Sequence, residues 1–472
     1  MDYIFNEDIF KKNFNFQELG EDGAGTDALR LRHNPDKNFR LFPYKVNKNA
    51  RYFVRDISEV VSDFLKLVMG IESNGIDNEK LMKELKENID IDENEIPIFE
   101  KIIHKMFFRD GRFLAKNIEL YAYQPYSENK SVQNLAFFLY CVLGIGAHEH
   151  KLITSLKEKH SKNVLEDLVS QSILKCSKES NSNEKKYFTI IEGIQDKFKK
   201  DFEFMLLHDM TDLEDITALL DLYYFYYISQ TAVVLDNFCS GNRQKTVEFY
   251  YALDWEKVSG NRKCYLNGWK GLQQKINHLF SHAITLELIN QHDDESLMYD
   301  YIMLGEYVAE NQEKDREVAC KIKRTEAIYI ECIGDYKKFS EIPEPFGRTE
   351  TEKAIKHLFE CVKEQFLNTK RTEANEAYFM KFVNYAKGRW LKNRRKLGMV
   401  LNLTERDIIF LTKISLGDSD KIKLEELFRE YNLRGIYLDN ASKKLLQEFF
   451  TKLNLIDKKS DSGDAQYVKR IL

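Results

Sequence analysis

With only 6 prolines and 21 glycines in 472 residues, the chain has too few turn-formers for a protein built from many short strands. That scarcity excludes all-β and collagenous architectures and favours long helices. Cysteine is also sparse. The seven thiols (Cys141, Cys176, Cys239, Cys264, Cys320, Cys332 and Cys361) are scattered and never form C-x-x-C. Neither a disulfide framework nor a zinc ribbon is indicated, and a reducing, cytoplasmic compartment is expected. No charge of one sign dominates: 31% of residues are charged but the net is −5, so contact with nucleic acid must come from local basic patches. The first residues, Met1 to Phe16, carry no sustained apolar core of the kind a signal or transit peptide needs. The most apolar stretch, Ile216 to Phe238, holds five consecutive aromatics (Tyr223 to Tyr227) but is broken by Asp221, Ser229, Gln230 and Asp236. It suits a buried protein interior rather than a bilayer, and no membrane partner is expected.

The common catalytic signatures are missing too. There is no G-x-x-x-x-G-K-[ST], no G-x-G-x-x-G after a strand, no G-x-S-x-G and no H-E-x-x-H. Pro35-Asp36 matches the opening of a PD-(D/E)xK nuclease motif, but the acid-x-Lys that should follow is absent. Two histidine clusters raise a metal question: His148-Glu149-His150, and the pair His278 and His282, which helical spacing puts on one face. Neither has a visible third ligand. No catalytic residue, metal ligand or cofactor is therefore assigned.

What is present is material for a large, mainly α protein. Hydrophobic residues make up 43% of the chain, and its length implies more than one domain. Residues 1–60 read as an irregular arm with short strands. Its basic residues Arg30, Arg32, His33, Lys37, Arg40, Lys45, Lys48, Arg51 and Arg55 are interleaved with Phe39, Phe42, Tyr44, Tyr52 and Phe53, so it could embrace nucleic acid or a partner. Helical periodicity fills a body over 61–335, broken by a polar run from Cys176 to Lys185 and a Gly- and Asn-rich insertion from Trp255 to Trp269. Pro343, Pro345 and Gly347 mark a linker over 336–350. A helical connector over 351–400 follows, with helices expected from Glu352 to Leu367 and from Thr372 to Arg395.

Residues 401–472 fit a winged helix-turn-helix domain. Thr404 and Asp439 cap the first and third helices, Gly417 and Gly435 close the first and second, and Lys421 to Leu424 is a short extended piece. The third helix is expected to bury Leu445, Leu446, Phe449, Phe450 and Leu453 and to turn Lys443, Lys444, Gln447 and Lys452 outward, as a recognition helix does. Two strands joined by Ser460 to Asp464 make the wing, with Lys458 and Lys459 on it. Whether such a domain touches DNA or protein is left open by the sequence. The densest basic tract lies just before it: Lys387, Arg389, Lys392, Arg394, Arg395 and Lys396, with Trp390 among them. Such a tract neutralises several phosphates without reading sequence, although a solvated helix end is the plainer alternative. The nucleic-acid contacts expected are thus Lys387, Arg389, Trp390, Lys392, Arg394, Arg395, Lys396, Lys443, Lys444, Lys458 and Lys459.

Two stretches carry a family resemblance: Leu455-Ile-Asp-Lys-Lys-Ser-Asp-Ser-Gly-Asp-Ala-Gln-Tyr-Val-Lys469 and Tyr251-Ala-Leu-Asp-Trp-Glu-Lys-Val-Ser259. Together they resemble the DptG (DndG) family of phosphorothioation-dependent restriction proteins. The resemblance implies a non-catalytic DNA-binding or scaffolding subunit of a bacterial anti-phage complex. Its implied partners are DNA, a DptF-like ATPase and a DptH-like ATPase or translocase, acting together on DNA that lacks the sulfur mark. It carries over no catalytic residues. A metal-dependent nuclease subunit and a winged-helix transcriptional regulator are the alternatives.

Overall fold

The most apolar segment of the chain forms its central helix. In the computed structural model, residues Leu213–Asp236 are one continuous helix, buried on every face from Leu219 to Leu235. Burying its four tyrosines is tolerable because each hydroxyl finds a partner. Tyr223 donates to Asp201 (2.8 Å), Tyr224 pairs with Tyr44 (2.7 Å), Tyr226 pairs with Thr246 (3.1 Å), and Tyr227 accepts from the amide of Ile190 (3.0 Å). Among the described residues, no helix is long and apolar enough to cross a membrane.

The structure describes residues 3–14, 17–18, 29–31, 33, 39–44, 54–72, 76–109, 112–113, 118–144, 163–174, 178–179, 185–292, 294, 297–458 and 466–471. Among them the fold is mainly helical. Helices longer than one turn are α1 (Glu7–Asn13), α2 (Ser58–Met69), α3 (Asn78–Glu87), α4 (Ile96–Phe107), α5 (Lys130–Leu143), α6 (Val164–Leu174), α7 (Ile194–Leu207), the central α8 (Leu213–Asp236), α9 (Trp269–Asn277), α10 (Leu279–Ile289), α11 (Tyr301–Val308), α12 (Gln312–Ile333), α13 (Glu350–Leu367), α14 (Thr372–Arg389), α15 (Glu405–Leu416), α16 (Leu424–Leu433) and α17 (Asn440–Lys452). The pairs α2/α5 and α12/α13 pack along each other.

The N-terminal arm departs from expectation. It contains α1, capped by Asn6, and Phe39, Leu41, Phe42 and Tyr44 are threaded into the core. Arg40 is buried, donates to the carbonyl of Lys185 (3.0 Å) and lies over the Tyr187 ring. Phe39, Phe42 and Tyr44, read as part of a nucleic-acid surface, are therefore interior packing. Arg32, Lys37, Lys45, Lys48, Arg51, Tyr52 and Phe53 lie outside the described residues, as do Pro35-Asp36 and His148 to His150.

A four-stranded sheet joins distant parts of the chain. Its strands are β1 (Tyr250–Leu253), β2 (Leu391–Asn393), β3 (Met399–Leu403) and, numbered by chain position, β5 (Tyr437–Leu438), arranged β5-β1-β3-β2. Strand β1 runs parallel to β5 and β3, while β2 is antiparallel to β3. Alternation sends Tyr251, Leu253 and Leu401 into the main core and Tyr250, Ala252 and Val400 into a smaller cluster with Cys264. Both faces are covered, as parallel strands require. The helix expected to run to Arg395 instead stops at Arg389. Trp390 turns inward to full burial, and residues 391–403 form a hairpin turned by Gly398 at φ +70°.

The C-terminal region comprises α15, β4 (Lys421–Lys423), α16, β5, α17, β6 (Ile456–Lys458) and β7 (Gln466–Lys469). Strands β4, β7 and β6 form a small antiparallel sheet in that order. A capping box between Thr404 and Asp407 starts α15, and the Asp439 side chain caps α17. Gly435, at φ +78°, lies so close to Tyr226 of α8 that a Cβ there would stand 2.5 Å from the ring. Only glycine fits both the left-handed turn and that contact.

Candidate nucleic-acid interface

Half of the tract's cations, together with Trp390, are built into the fold. The Arg389 guanidinium is clamped between Asp221 of α8 (3.0 Å) and Asp407 of α15. Trp390 donates its indole N–H to the Tyr385 hydroxyl (3.0 Å), which itself donates to Asp221 (2.8 Å). Lys392 donates to the carboxylate (2.6 Å) and carbonyl (3.0 Å) of Asp254. Arg394 donates to the carbonyls of Leu253 (2.8 Å) and Glu256 (2.9 Å) and to the Asn402 side chain (2.9 Å). These four residues, expected at nucleic acid, are committed to internal partners. Lys387, Arg395 and Lys396 are exposed and have no side-chain acceptor among the described residues.

The third helix is divided in the same way. Lys444 and Lys452 are exposed, but Lys443 is half-buried with its ammonium over the Phe428 ring, and Gln447 donates to Gln466 of β7 (2.8 Å). Leu453, expected in the core, lies just past the helix end and is 44% exposed. Lys458 is in β6, with nothing described of its side chain, and Lys459 lies outside the described residues.

The loop over 254–262 covers the N-terminus of α17. Arg262 donates to Asp439, the cap residue, and to Glu256 (3.0 Å), while the Ser442 hydroxyl donates to Glu256 (2.9 Å). Burial would raise the Asp439 carboxyl, but Arg262 and the amides of Ser442 and Cys264 bring it down to about 2. The N-terminus of α17, expected from sequence to be a recognition helix, is thus already covered by this loop. Exposed on or near this loop are Lys257, Arg395 and Lys396 at the β2–β3 tip, whose neighbour Leu397 packs near Gly260, and Trp255, tilted against Phe449 of α17 at 5.0 Å.

No known protein family matches the chain, and no curated protein is similar to it.

The histidine pair has the third partner that sequence could not supply. Asp236, at the end of α8, lies 2.6 Å from Nδ1 of His278 and 3.5 Å from Nε2 of His282. Burial would raise the Asp236 carboxyl, yet hydrogen bonds from both imidazoles and Lys275 hold it far below the usual range. Burial lowers the pKa of His282, opposed by Asp236. A second group, Glu326, His357 and Cys361, links α12 to α13.

Proposed function

We propose that this chain is a non-catalytic DNA-binding and scaffolding subunit of a phosphorothioation-dependent restriction complex, with a C-terminal winged helix and ATPase partners of the DptF and DptH kinds. The carrying observation is the C-terminal order helix, strand, helix, strand, helix, strand, strand, in which β4 and β6 both pair with β7 while β5 joins the four-stranded sheet. Three helices with a terminal strand pair and a third strand beside it support the winged-helix reading. The covered N-terminus of α17 argues for contact with the phosphate backbone rather than base edges. Arg395, Lys396 and Lys444 are the contacts, joined by Lys387 further along. A backbone-only contact suits a subunit that must hold DNA of any sequence while partners supply nucleotide chemistry.

The cellular test uses plasmids with and without the backbone sulfur mark, transformed into cells carrying both ATPase subunits. With this chain present, unmarked plasmid transforms at least 10-fold less well than marked plasmid; without it, the two are equal. Equal efficiencies with the chain present would refute the reading.

A further inference from the structure

We propose that Asp236, His278 and His282 bind one transition-metal cation of the zinc class. Three elements converge to make the site: α8 ends on Asp236, His278 sits at the junction of α9 and α10, and His282 follows one turn later in α10. Oδ1 of Asp236, Nδ1 of His278 and Nε2 of His282 face one another within 4.8 Å. Two nitrogens and a carboxylate oxygen are the donors zinc accepts when a solvent molecule fills its fourth position.

An independent observation is the set of outer contacts. His282 is fully buried, and its other nitrogen, Nδ1, lies 3.2 Å from the Tyr301 hydroxyl, which fixes Nε2 toward the site. Its ring is stacked on Phe359 at 4.4 Å. The second oxygen of Asp236 accepts from Lys275 at 2.9 Å. Metal ligands are held by this kind of outer partner, hydrogen-bonded at the atom that does not face the ion. Asp236 and His278 are 17% and 19% exposed, which gives an ion a way in.

Donors on a tetrahedral ion with bonds of about 2.0 Å stand roughly 3.3 Å apart. The 3.5 Å between Asp236 and His282 already suits this, whereas the 2.6 Å between Asp236 and His278 is a hydrogen bond. The ion takes the place of the proton shared there. His278 moves outward by a few tenths of an ångström and carries its N–H on Nε2. The group at Glu326, His357 and Cys361 meets the same distance limit, with the carboxylate 2.8 Å and the thiol 3.7 Å from Nδ1 of His357, but among the described residues neither the second oxygen of Glu326 nor Nε2 of His357 has an outer hydrogen-bond partner. It serves as the control.

The test is a Co²⁺ titration of the full chain after chelator treatment, followed by visible d–d absorption and displacement with Zn²⁺. One equivalent per chain is expected for the wild type and for His357→Ala. His278→Ala and Asp236→Asn should lose the band while keeping the wild-type circular dichroism. Tyr301→Phe, which removes an outer contact only, should weaken binding about 10–100-fold. Absence of the band from the folded wild type overturns the proposal. So does retention of full affinity by His278→Ala, which avoids the fully buried His282 and so tests the site in a folded chain.

Discussion

Replacing Arg434 with alanine is expected to destabilise the protein by about 3–5 kcal/mol, because it strands a buried carboxylate. Arg434 follows α16 and grips Asp201 of α7 with two parallel hydrogen bonds, at 2.8 and 2.6 Å, where the two side chains are 6% and 2% exposed. It also donates to the side chain and carbonyl of Glu430 (2.8 and 2.9 Å). With the guanidinium gone, Asp201 keeps only the Tyr223 hydroxyl among these partners. Lysine should recover little, since one ammonium cannot reproduce the planar fork. Denaturant unfolding, with m-values compared, checks this; a loss under about 1 kcal/mol would mean that the contact between α7 and the C-terminal region does not depend on this pair.

Arg389→Ala should be nearly as damaging, and its cost should depend on pH. The side chain is 26% exposed and holds two carboxylates that are each 6% exposed. Burial already pushes Asp221 up to about 6, even with Arg389 and the Tyr385 hydroxyl opposing it. Losing Arg389 raises it further. An acid whose folded pKa exceeds its unfolded value of about 3.9 favours the folded state at low pH and loses that contribution as pH rises through the folded pKa. The deficit relative to wild type should therefore be smaller at pH 5 than at pH 8. A pH-independent deficit would show that Asp221 is not the group left uncompensated.

Local chemistry made parts of this fold legible. Thr404 and Asp439 announce helix starts because an N-cap needs only its own next three residues. The apolar run around Tyr223 to Tyr227 marks the central helix because its length and aromatic content require full burial. The stop at Arg389 and the hairpin at residues 391–403 are hidden in the sequence because the partners that hold them, Asp221 and Asp407 for Arg389 and Asp254 for Lys392, are set by tertiary contact. Charge density alone cannot tell an arginine aimed at a phosphate from one aimed at a buried aspartate. Asp236 was invisible for the same reason, 42 residues before His278 in the chain. In the arm, Phe42 and Tyr44 sit among basic residues, and it is their contacts with Tyr378 and Tyr224 from distant helices that place them in the core.

The division of the basic residues into internal and external sets is tested most directly by equilibrium binding to duplexes of unrelated sequence over a salt series. The comparison is wild type against Arg395→Ala/Lys396→Ala/Lys444→Ala. Each lost phosphate contact should flatten the slope of log K against log salt by about 0.9, and the three together by up to about 2.7. The triple variant should keep wild-type stability and bind all duplexes more weakly by a similar factor. A triple variant with the wild-type slope and affinity, or a wild-type chain that binds no duplex at low salt, would contradict the account.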